Sequence, residues 1–332
     1  QADPLSVRVE LPALVATQAK EYRVEVTFTR WALAKDFTVE VRLPKGWKLR
    51  SPNVLKWTAA PHSDRDQRYV VVVEPGANPE PGLLEFWSDG RALRAVVELR
   101  YDHIPHTEVW TEGGIPMRYL PMNLPEATVG VIVGAGDDAA EALGQLGFSV
   151  RQLDPRTMTA QDLNGLSAVV TGIRAFNATP GMDRANALLE PWIKAGGRLV
   201  MQYTTASTDR TADQMGPIPF ELGRKRVTVE SVPPTILQPK HPIWTTPNTL
   251  TAADFEGWVQ ERGLYFAEKW PSDYTPLIEW SDPGEPATQG ALITARYGQG
   301  SVTYCGLALF RQWREGVPGA YRILANLVAH EH

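Results

Sequence analysis

The first third of the chain alternates between apolar and polar residues with a period of two. The pattern is clearest in EYRVEVTFTR (21–30) and DFTVEVRLP (36–44), where alternate side chains fall on one side of an extended backbone. The apolar side comprises Tyr22, Val24, Val26, Phe28, Phe37, Val39, Val41 and Leu43. Ser88-Asp89-Gly90-Arg91 indicates a hairpin, because glycine accepts a positive φ. We therefore predict an immunoglobulin-like β-sandwich over residues 1–105.

From residue 127 onward, short apolar strands alternate with helical patterns. TVGVIVG, FSVRQLD, LSAVVTGI and RLVMQY are separated by AGDDAAEALGQLG and DRANALLEPWIKAGG. This order predicts an α/β domain over 127–332 with a doubly wound, mostly parallel sheet of the flavodoxin type. The later strands GALITARY and GSVTYCGL form a predicted hairpin at Gly298 to Gly300, and AADFEGWVQERG (252–263) a predicted helix. Residues 106–126, rich in proline and glycine, are interpreted as a linker.

Composition narrows the classes of function. At 332 residues the chain is long enough for two domains, and its net charge of −5 without a long basic run argues against nucleic acid as a partner. No apolar run is long enough to insert into a membrane. Cys305 is the single cysteine, so no internal disulfide is possible. Because the first residue is Gln1, we expect the chain to have been cut from a longer protein.

The ends of the third and fourth strands of the α/β part predict a binding crevice. Arg174 and Asn177 follow LSAVVTGI, and Gln202, Tyr203 and Thr204 lie at the end of RLVMQY. Ligands of parallel sheets collect outside the carboxyl ends of the strands. Arg174 offers a planar fork for a carboxylate, and Asn177 offers both a donor and an acceptor. The alternative is that both residues only brace loops.

A catalytic nucleophile is missing from this crevice. Thr204 and Thr205 would need an adjacent base, usually histidine. His241 lies in PKHPIW, which indicates a loop, and Cys305 lies inside a strand where a buried structural thiol is expected. We therefore predict that the crevice binds without a catalytic triad.

The segment TAADFEGWVQERGLYFAEKW (251–270) is dense in aromatic and charged residues. Asp254, Trp258, Arg262 and Tyr265 are spaced three or four apart, which on a helix gives one face. Aromatic rings beside carboxylates often hold sugars, with the ring faces stacked and the hydroxyls hydrogen-bonded. We interpret Trp258 as a core residue, and Asp254 and Arg262 as binding or interface residues.

Two further sets of residues belong to this hypothesis. Arg311 and Gln312, in LFRQW, are candidates for a similar rim. Asp254, Glu256 and Glu261 support an alternative, a hydrolase that uses carboxylates as acid and base.

We expect no cofactor and no metal. GVIVGAGDD lacks the third glycine of a dinucleotide site, and Asp137 and Asp138 would repel a pyrophosphate. His103 and His106 in HIPH flank a proline in an extended segment, so their rings diverge.

Residues 125–332 resemble the C-terminal region of long bacterial LmbE-like (PIG-L family) proteins. The similarity rests on VVTGIRAFN, DFEGWVQERGLYF, WSDPGE, ARYGQGSVTYCGLALFRQW and GVPGAYRILANL. It implies a class I glutamine amidotransferase-like domain that has lost its catalytic cysteine. Residues 1–105, with VRLPKGWKL, resemble small β-sandwich modules found beside carbohydrate-active domains.

The same resemblance implies what this chain lacks. The family's zinc site uses a His-Pro-Asp-Asp motif in an N-terminal deacetylase domain. Here His62 is followed by Ser63, and His241 by Pro242 and Ile243, so no zinc ligand is carried over. The implied function is a non-catalytic accessory region of an N-acetyl-sugar deacetylase, which binds a glycan or small molecule or positions the deacetylase domain of its parent chain. A structural scaffold is the remaining alternative, and sugar-processing relatives suggest a secreted or periplasmic location.

Overall fold

The computed structural model describes residues 3–31, 36–58, 65–99, 107–136, 138–207, 210–211 and 214–330. The chain divides into two compact units, Gln1–Pro121 and Met122–His332.

The first unit is a β-sandwich. In chain order its strands are β1 (Leu5–Val9), β2 (Leu14–Ala16), β3 (Tyr22–Arg30), β4 (Phe37–Arg42), β5 (Trp47–Leu49), β6 (Val54–Trp57), β7 (Asp66–Pro75), β8 (Gly82–Ser88), β9 (Arg91–Ala92), β10 (Arg94–Leu99), β11 (Thr107–Glu112) and β12 (Ile115–Tyr119). One sheet has the order β1-β3-β7-β5, and the other has the order β2-β12-β8-β4-β6 with β9 beside β8. The strands β10 and β11 form a separate two-stranded ladder.

The alternating sequence pattern explains the core of this unit. Val24, Val26 and Phe28 of β3 are fully buried, and they share one apolar cluster with Phe37 and Val39 of β4. Partly buried Tyr22 and Leu43 pack against that cluster. The inward-facing positions predicted from the sequence are therefore confirmed.

The predicted hairpin at Ser88 to Arg91 is also confirmed. Ser88 pairs with Arg91, and the two residues between them, Asp89 and Gly90, have φ values of 50° and 75°. Positive φ at both central positions is the geometry of the tight turn that joins twisted antiparallel strands.

The segment interpreted as a linker contains strands. β11 and β12 both lie within residues 106–126, and β12 pairs with β2 and β8 of the sandwich. The proline-rich composition hid these short strands, because Pro116 occupies β12 itself.

The second unit contains one large sheet and several small ladders. Its strands are β13 (Thr128–Ile132), β14 (Ser149–Gln152), β15 (Leu166–Thr171), β16 (Arg198–Gln202), β17 (Glu221–Leu222), β18 (Arg226–Val227), β19 (Thr235–Ile236), β20 (Gly263–Leu264), β21 (Ala267–Lys269), β22 (Tyr274–Pro276), β23 (Ile278–Glu279), β24 (Leu292–Tyr297) and β25 (Gly300–Cys305). Its helices are α1 (Ala139–Leu146), α2 (Ala175–Ala178), α3 (Met182–Lys194), α4 (Pro242–Thr245), α5 (Leu309–Arg314) and α6 (Pro318–Ala329), with 3₁₀ turns at Ala160–Leu163 and Ala252–Phe255.

The large sheet is mixed. Its order is β14-β13-β15-β16-β25-β24-β22, in which β24 runs antiparallel to β25 and β22 antiparallel to β24. The predicted hairpin of β24 and β25 is confirmed, with Tyr297 opposite Gly300. One apolar core cluster joins Leu199 and Met201 of β16, Val302 and Tyr304 of β25, and buried residues of α3.

The predicted fold class of a doubly wound, mostly parallel flavodoxin-like or amidotransferase-like domain is wrong. Strand accounts for 38% of the structure and helix for 18%, and the sheets are mixed. The connection from β16 to β25 carries the ladders β17–β21, β18–β20 and β19–β23 in place of a long crossover helix. Short polar strands of two or three residues give too little periodicity for the sequence to reveal them.

The predicted helix over 252–263 is wrong as well. The capping box of Thr251 and Asp254 forms, but it caps a single 3₁₀ turn. The chain then leaves helical geometry at Gly257 (φ 68°) and Gln260 (φ 59°). The common helix face proposed for Asp254, Trp258, Arg262 and Tyr265 therefore does not exist.

Candidate functional site

The loops that follow β15 and β16 are tied together at the carboxyl end of the large sheet. The backbone N–H of Arg174 donates to the carbonyl of Tyr203 (2.8 Å), and the Asn177 Oδ1 accepts from the N–H of Thr205 (2.9 Å). Asn177 thus braces the loops, as one of the two sequence interpretations had it, whereas the Arg174 side chain is exposed at the same place.

A second pair of chain segments completes this end of the sheet. The chain leaving β25 runs beside residues 262–264, since Leu264 N–H donates to Gly306 O and Ala308 N–H donates to Arg262 O, both at 2.9 Å. Gly263 is required for this approach, because a Cβ there would lie 2.7 Å from the Gly306 carbonyl oxygen.

Gln312 fixes the neighbouring segment. Its amide is fully buried on α5; Oε1 accepts from the N–H of Val259 (2.8 Å), and Nε2 donates to the Val259 carbonyl (3.0 Å). Gln312 was predicted to lie on a binding rim. The structure shows it holding the backbone from which Gln260 and Glu261 project.

Three aromatic rings meet where these loops converge. Tyr203 stacks on Tyr265 with centroids 5.9 Å apart and planes inclined by 10°, and Phe310 packs against Tyr203 at 5.5 Å. Tyr203 is 7% exposed, whereas Tyr265 and Phe310 are partly exposed. The buried ring therefore supports two rings that reach the surface.

Charged groups surround this aromatic cluster. Arg311 donates through Nε (3.1 Å) and Nη2 (2.8 Å) to the Glu261 Oε1, and through Nη1 to the Gln260 side chain (2.5 Å). Burial raises the pKa of Tyr203, and the positive charges of Arg174 and Arg311 act in the opposite direction. We call Arg174, Tyr203, Tyr265, Phe310 and the Arg311–Glu261 pair the carboxyl-end site.

Backbone strain concentrates at this site. Arg174, Gln260 and Tyr265 have φ values of 55°, 59° and 52°, a region that non-glycine residues rarely occupy. The buried Tyr304 hydroxyl donates to the Tyr265 carbonyl (2.5 Å) and holds that residue in place. Strained backbone is often retained at functional sites, where it fixes side-chain position.

Three of the predicted site residues have structural roles. Trp258 is 2% exposed, stacks on Phe255, and donates through Nε1 to the Asp254 carbonyl (2.9 Å). Arg262 is 4% exposed and donates to the Phe255 carbonyl (2.7 Å). Asp254 accepts from the Thr251 N–H and from Arg322 Nε (2.7 Å). The interpretation of Trp258 as a core residue agrees with this placement, whereas Asp254 and Arg262 bind their own chain.

Gln202, the last residue of β16, is buried, so its side chain is not on the surface of the site. The three carboxylates of the hydrolase alternative have different environments. Asp254 pairs with Arg322, Glu261 pairs with Arg311, and Glu256 is exposed.

Thr204 and Cys305, two residues in nucleophile positions, are buried. Thr204 is fully buried, and its hydroxyl has no hydrogen-bond partner in the described part of the chain. Burial raises the pKa of Cys305 to about 12, which keeps its thiol protonated at neutral pH. His241 caps α4 instead of serving a nucleophile, since its Nδ1 accepts from the Ile243 N–H (3.2 Å).

Among the described residues, no three His, Cys, Asp or Glu side chains are grouped to hold a metal ion. Asp138 forms an ion pair with Arg314. His62, His103, His106 and Asp137 lie outside the described residues. None of the helices in the described ranges is both long and apolar enough to cross a membrane.

The chain matches no family model, and no curated protein matches it. Among solved structures it is similar to a cold-adapted β-galactosidase from Rahnella sp. R3, with 14% identity, a TM-score of 0.39, and coverage of 60% of this chain and 31% of that chain. A β-galactosidase from the haloarchaeon Halorubrum lacusprofundi gives 14% identity, a TM-score of 0.35, and coverage of 62% and 31%. One from Bacillus circulans sp. alkalophilus gives 10% identity, a TM-score of 0.34, and coverage of 61% and 31%. The chain thus spans less than a third of the length of each of these enzymes.

Sequence reasoning missed Phe310 and the role of Gln260. Phe310 lies directly before Arg311, just beyond the carboxyl end of the last strand, and the rule that placed Arg174 and Tyr203 at the sheet end could have found it. Gln260 reaches Arg311 only because its backbone is left-handed, and its sequence neighbours give no signal of that conformation.

Proposed function

We propose that the carboxyl-end site binds carbohydrate and performs no chemistry on it. The observation that carries this proposal is the partly exposed pair of rings, Tyr265 and Phe310, beside the exposed Arg174 guanidinium. A sugar ring presents apolar C–H groups that stack on aromatic rings, and its hydroxyls accept hydrogen bonds from planar cationic groups.

The rigidity of the site supports binding. The two loops tied through Asn177 and the segment held by Gln312 fix the aromatic rings before a ligand arrives. Pre-organisation reduces the entropy that a ligand must lose on binding.

We further propose that the ligand is an N-acetylated glycan and that the site positions it for a deacetylase domain of the same parent protein. This role is the one implied by the sequence motifs that residues 125–332 share with LmbE-like proteins, and it is independent of the amidotransferase-like fold that those motifs also implied. The Arg174 guanidinium, a planar donor, is suited to the carbonyl oxygen of an acetamido group.

The test is calorimetric titration of the chain with a tetramer of N-acetylglucosamine and with the fully deacetylated tetramer. We expect the acetylated tetramer to bind more tightly. Arg174→Asn and Tyr265→Asn should each weaken binding about 10-fold, a change of about 1.4 kcal/mol. Asparagine is chosen because it tolerates a left-handed backbone.

Arg23→Asn is the matched control, because Arg23 is an exposed arginine on β3 of the first unit. Unchanged binding in both site variants would contradict carbohydrate binding at this end of the sheet. Equal affinity for the two tetramers would leave carbohydrate binding standing and remove the acetyl-specific role. Release of acetate or reducing sugar that stops in Glu261→Gln would favour the hydrolase alternative.

A further inference from the structure

A pocket lies at the end of the large sheet opposite the carboxyl-end site. Its volume is about 450 Å³, and β22, β24 and β25 with the residue before β22 form its floor. Ser301 lies at the start of β25 and Cys305 at its end, so four residues, or roughly 13 Å of strand, separate Ser301 from the carboxyl end. This pocket shares no described lining residue with the carboxyl-end site.

The strand register produces a floor of hydroxyl groups. Thr275 is opposite Thr294, Thr294 is opposite Thr303, and Arg296 is opposite Ser301. Opposite residues in antiparallel strands share a face. The other face of the same strands carries the apolar residues Ile293, Ala295, Val302 and Tyr304.

Two of these hydroxyls form a hydrogen bond with each other, whereas a third has no partner in the described part of the chain. The Oγ1 atoms of Thr294 and Thr303 are 2.8 Å apart. Ser301 is 5% exposed, and its Oγ has no hydrogen-bond partner within the described ranges. Leaving a buried hydroxyl unpaired is unfavourable. A ligand that offers Ser301 a hydrogen bond would remove that cost.

His241 and His330 form the wall across from this floor, with ring centroids 6.5 Å apart. The His330 Nδ1 lies 2.9 Å from the Asn326 carbonyl oxygen, which can only accept, so this nitrogen carries the hydrogen. The His241 Nδ1 accepts from the Ile243 N–H, so the neutral ring carries its hydrogen on Nε2. The Nε2–H of His241 is therefore a donor for a ligand oxygen.

The pocket combines one cation and one anion. Arg296 and Asp273 are both exposed and both line it. The guanidinium matches the planar geometry of a carboxylate. Asp273 opposes a dianion more strongly than a monoanion and can accept hydrogen bonds from hydroxyls.

From these observations we propose that the pocket binds a small sugar acid of the hexuronate type. Its carboxylate would lie against Arg296 and the Ser301 hydroxyl, and its ring hydroxyls against Thr275, Asp273 and the His241 Nε2–H. The absence of a Phe, Tyr or Trp side chain from the described lining distinguishes this pocket from the carboxyl-end site.

The experiment is calorimetric titration of the whole chain with D-glucuronate, D-glucose and glucose 6-phosphate. We expect glucuronate to bind at least 10-fold more tightly than either of the other two. Arg296→Gln should weaken glucuronate binding at least 10-fold, and Ser301→Ala should weaken it severalfold. Arg224→Gln, which removes an exposed arginine elsewhere, should leave it unchanged.

Arg174→Asn separates this proposal from the proposed function. It should leave glucuronate binding unchanged while it weakens binding of the N-acetylglucosamine tetramer. Loss of glucuronate binding in Arg174→Asn but not in Arg296→Gln would move the sugar acid to the carboxyl-end site and overturn the proposal. Preference for glucose 6-phosphate, or no glucuronate binding at millimolar concentration, would also overturn it.

Discussion

The two ends of the large sheet form their candidate binding surfaces in different ways. At the carboxyl end, Gly263 lets two chain segments approach and Tyr265 takes a left-handed backbone. At the amino end, regular strand register alone aligns Arg296 with Ser301. The first surface depends on the course of the main chain, whereas the second depends on which side chains occupy one face. Substitutions should therefore act on fold and binding together at the first end, whereas those of Arg296 and Ser301 at the second end should act on binding alone.

The most severe test of this contrast is Gly263→Val. A Cβ at this position would approach the Gly306 carbonyl oxygen to 2.7 Å, so the two segments must separate. We expect the free energy of unfolding in urea to fall by about 3 kcal/mol. Gly144→Ala is the control, because a Cβ there meets nothing within 4 Å in helix α1, and alanine should be neutral or slightly stabilising. A tolerated valine would show that the main chain at this end is not tightly specified.

Gln312→Leu tests whether one side chain transmits its effect to the carboxyl-end site. The substitution leaves the N–H and the carbonyl of Val259 without their partner, and we expect a loss of about 2 kcal/mol in stability. Binding of the N-acetylglucosamine tetramer should weaken, because Glu261 and Arg311 lose their fixed positions. Glucuronate binding, measured on the same folded variant, should not change. A parallel loss of both ligands would contradict the independence of the two ends.

The smallest effect is expected at His241 and depends on pH. Burial lowers the pKa of His241 below its usual value, so the unfolded chain binds the proton more readily. Stability that is present above the unfolded pKa of about 6.5 is therefore lost as pH falls through the folded pKa. His241→Asn keeps a side chain that caps α4 but removes the titration. The free energy of unfolding in urea should fall less between pH 7.5 and pH 5 for the variant than for the unaltered protein. An identical fall in both proteins would assign the pH dependence to other groups.

The sequence predicted the two units to different extents. In the sandwich, the alternation through Val24, Val26 and Phe28 is sufficient to identify the strand and its buried positions, because the period of a strand and burial on one side coincide. In the second unit the strands of the large sheet were found, but their arrangement depends on ladders such as β18–β20, which pair residues 226–227 with 263–264. Pairing across so many residues leaves no local periodic signal.

The carboxyl-end site could also be predicted only in part, because contacts between distant residues leave no signal in the sequence. Arg174 and Tyr203 could be placed from the general behaviour of strand ends, and Tyr265 and Arg311 were singled out by residue type. The predicted helix placed Asp254 and Arg262 beside Tyr265, whereas both bind backbone or side chains of their own chain. The error arose at Gly257 and Gln260, where positive φ ends any helical face.

The left-handed backbone at Arg174, Gln260 and Tyr265 has a consequence for protein engineering. Glycine at these positions would relieve local strain, yet it would remove the side chains of the site and release the orientation of the neighbouring rings. Copying the side chains alone onto another sheet would not reproduce the surface. A successful transplant must carry residues 259–265 and 306–312 as a pair, because these two stretches specify each other.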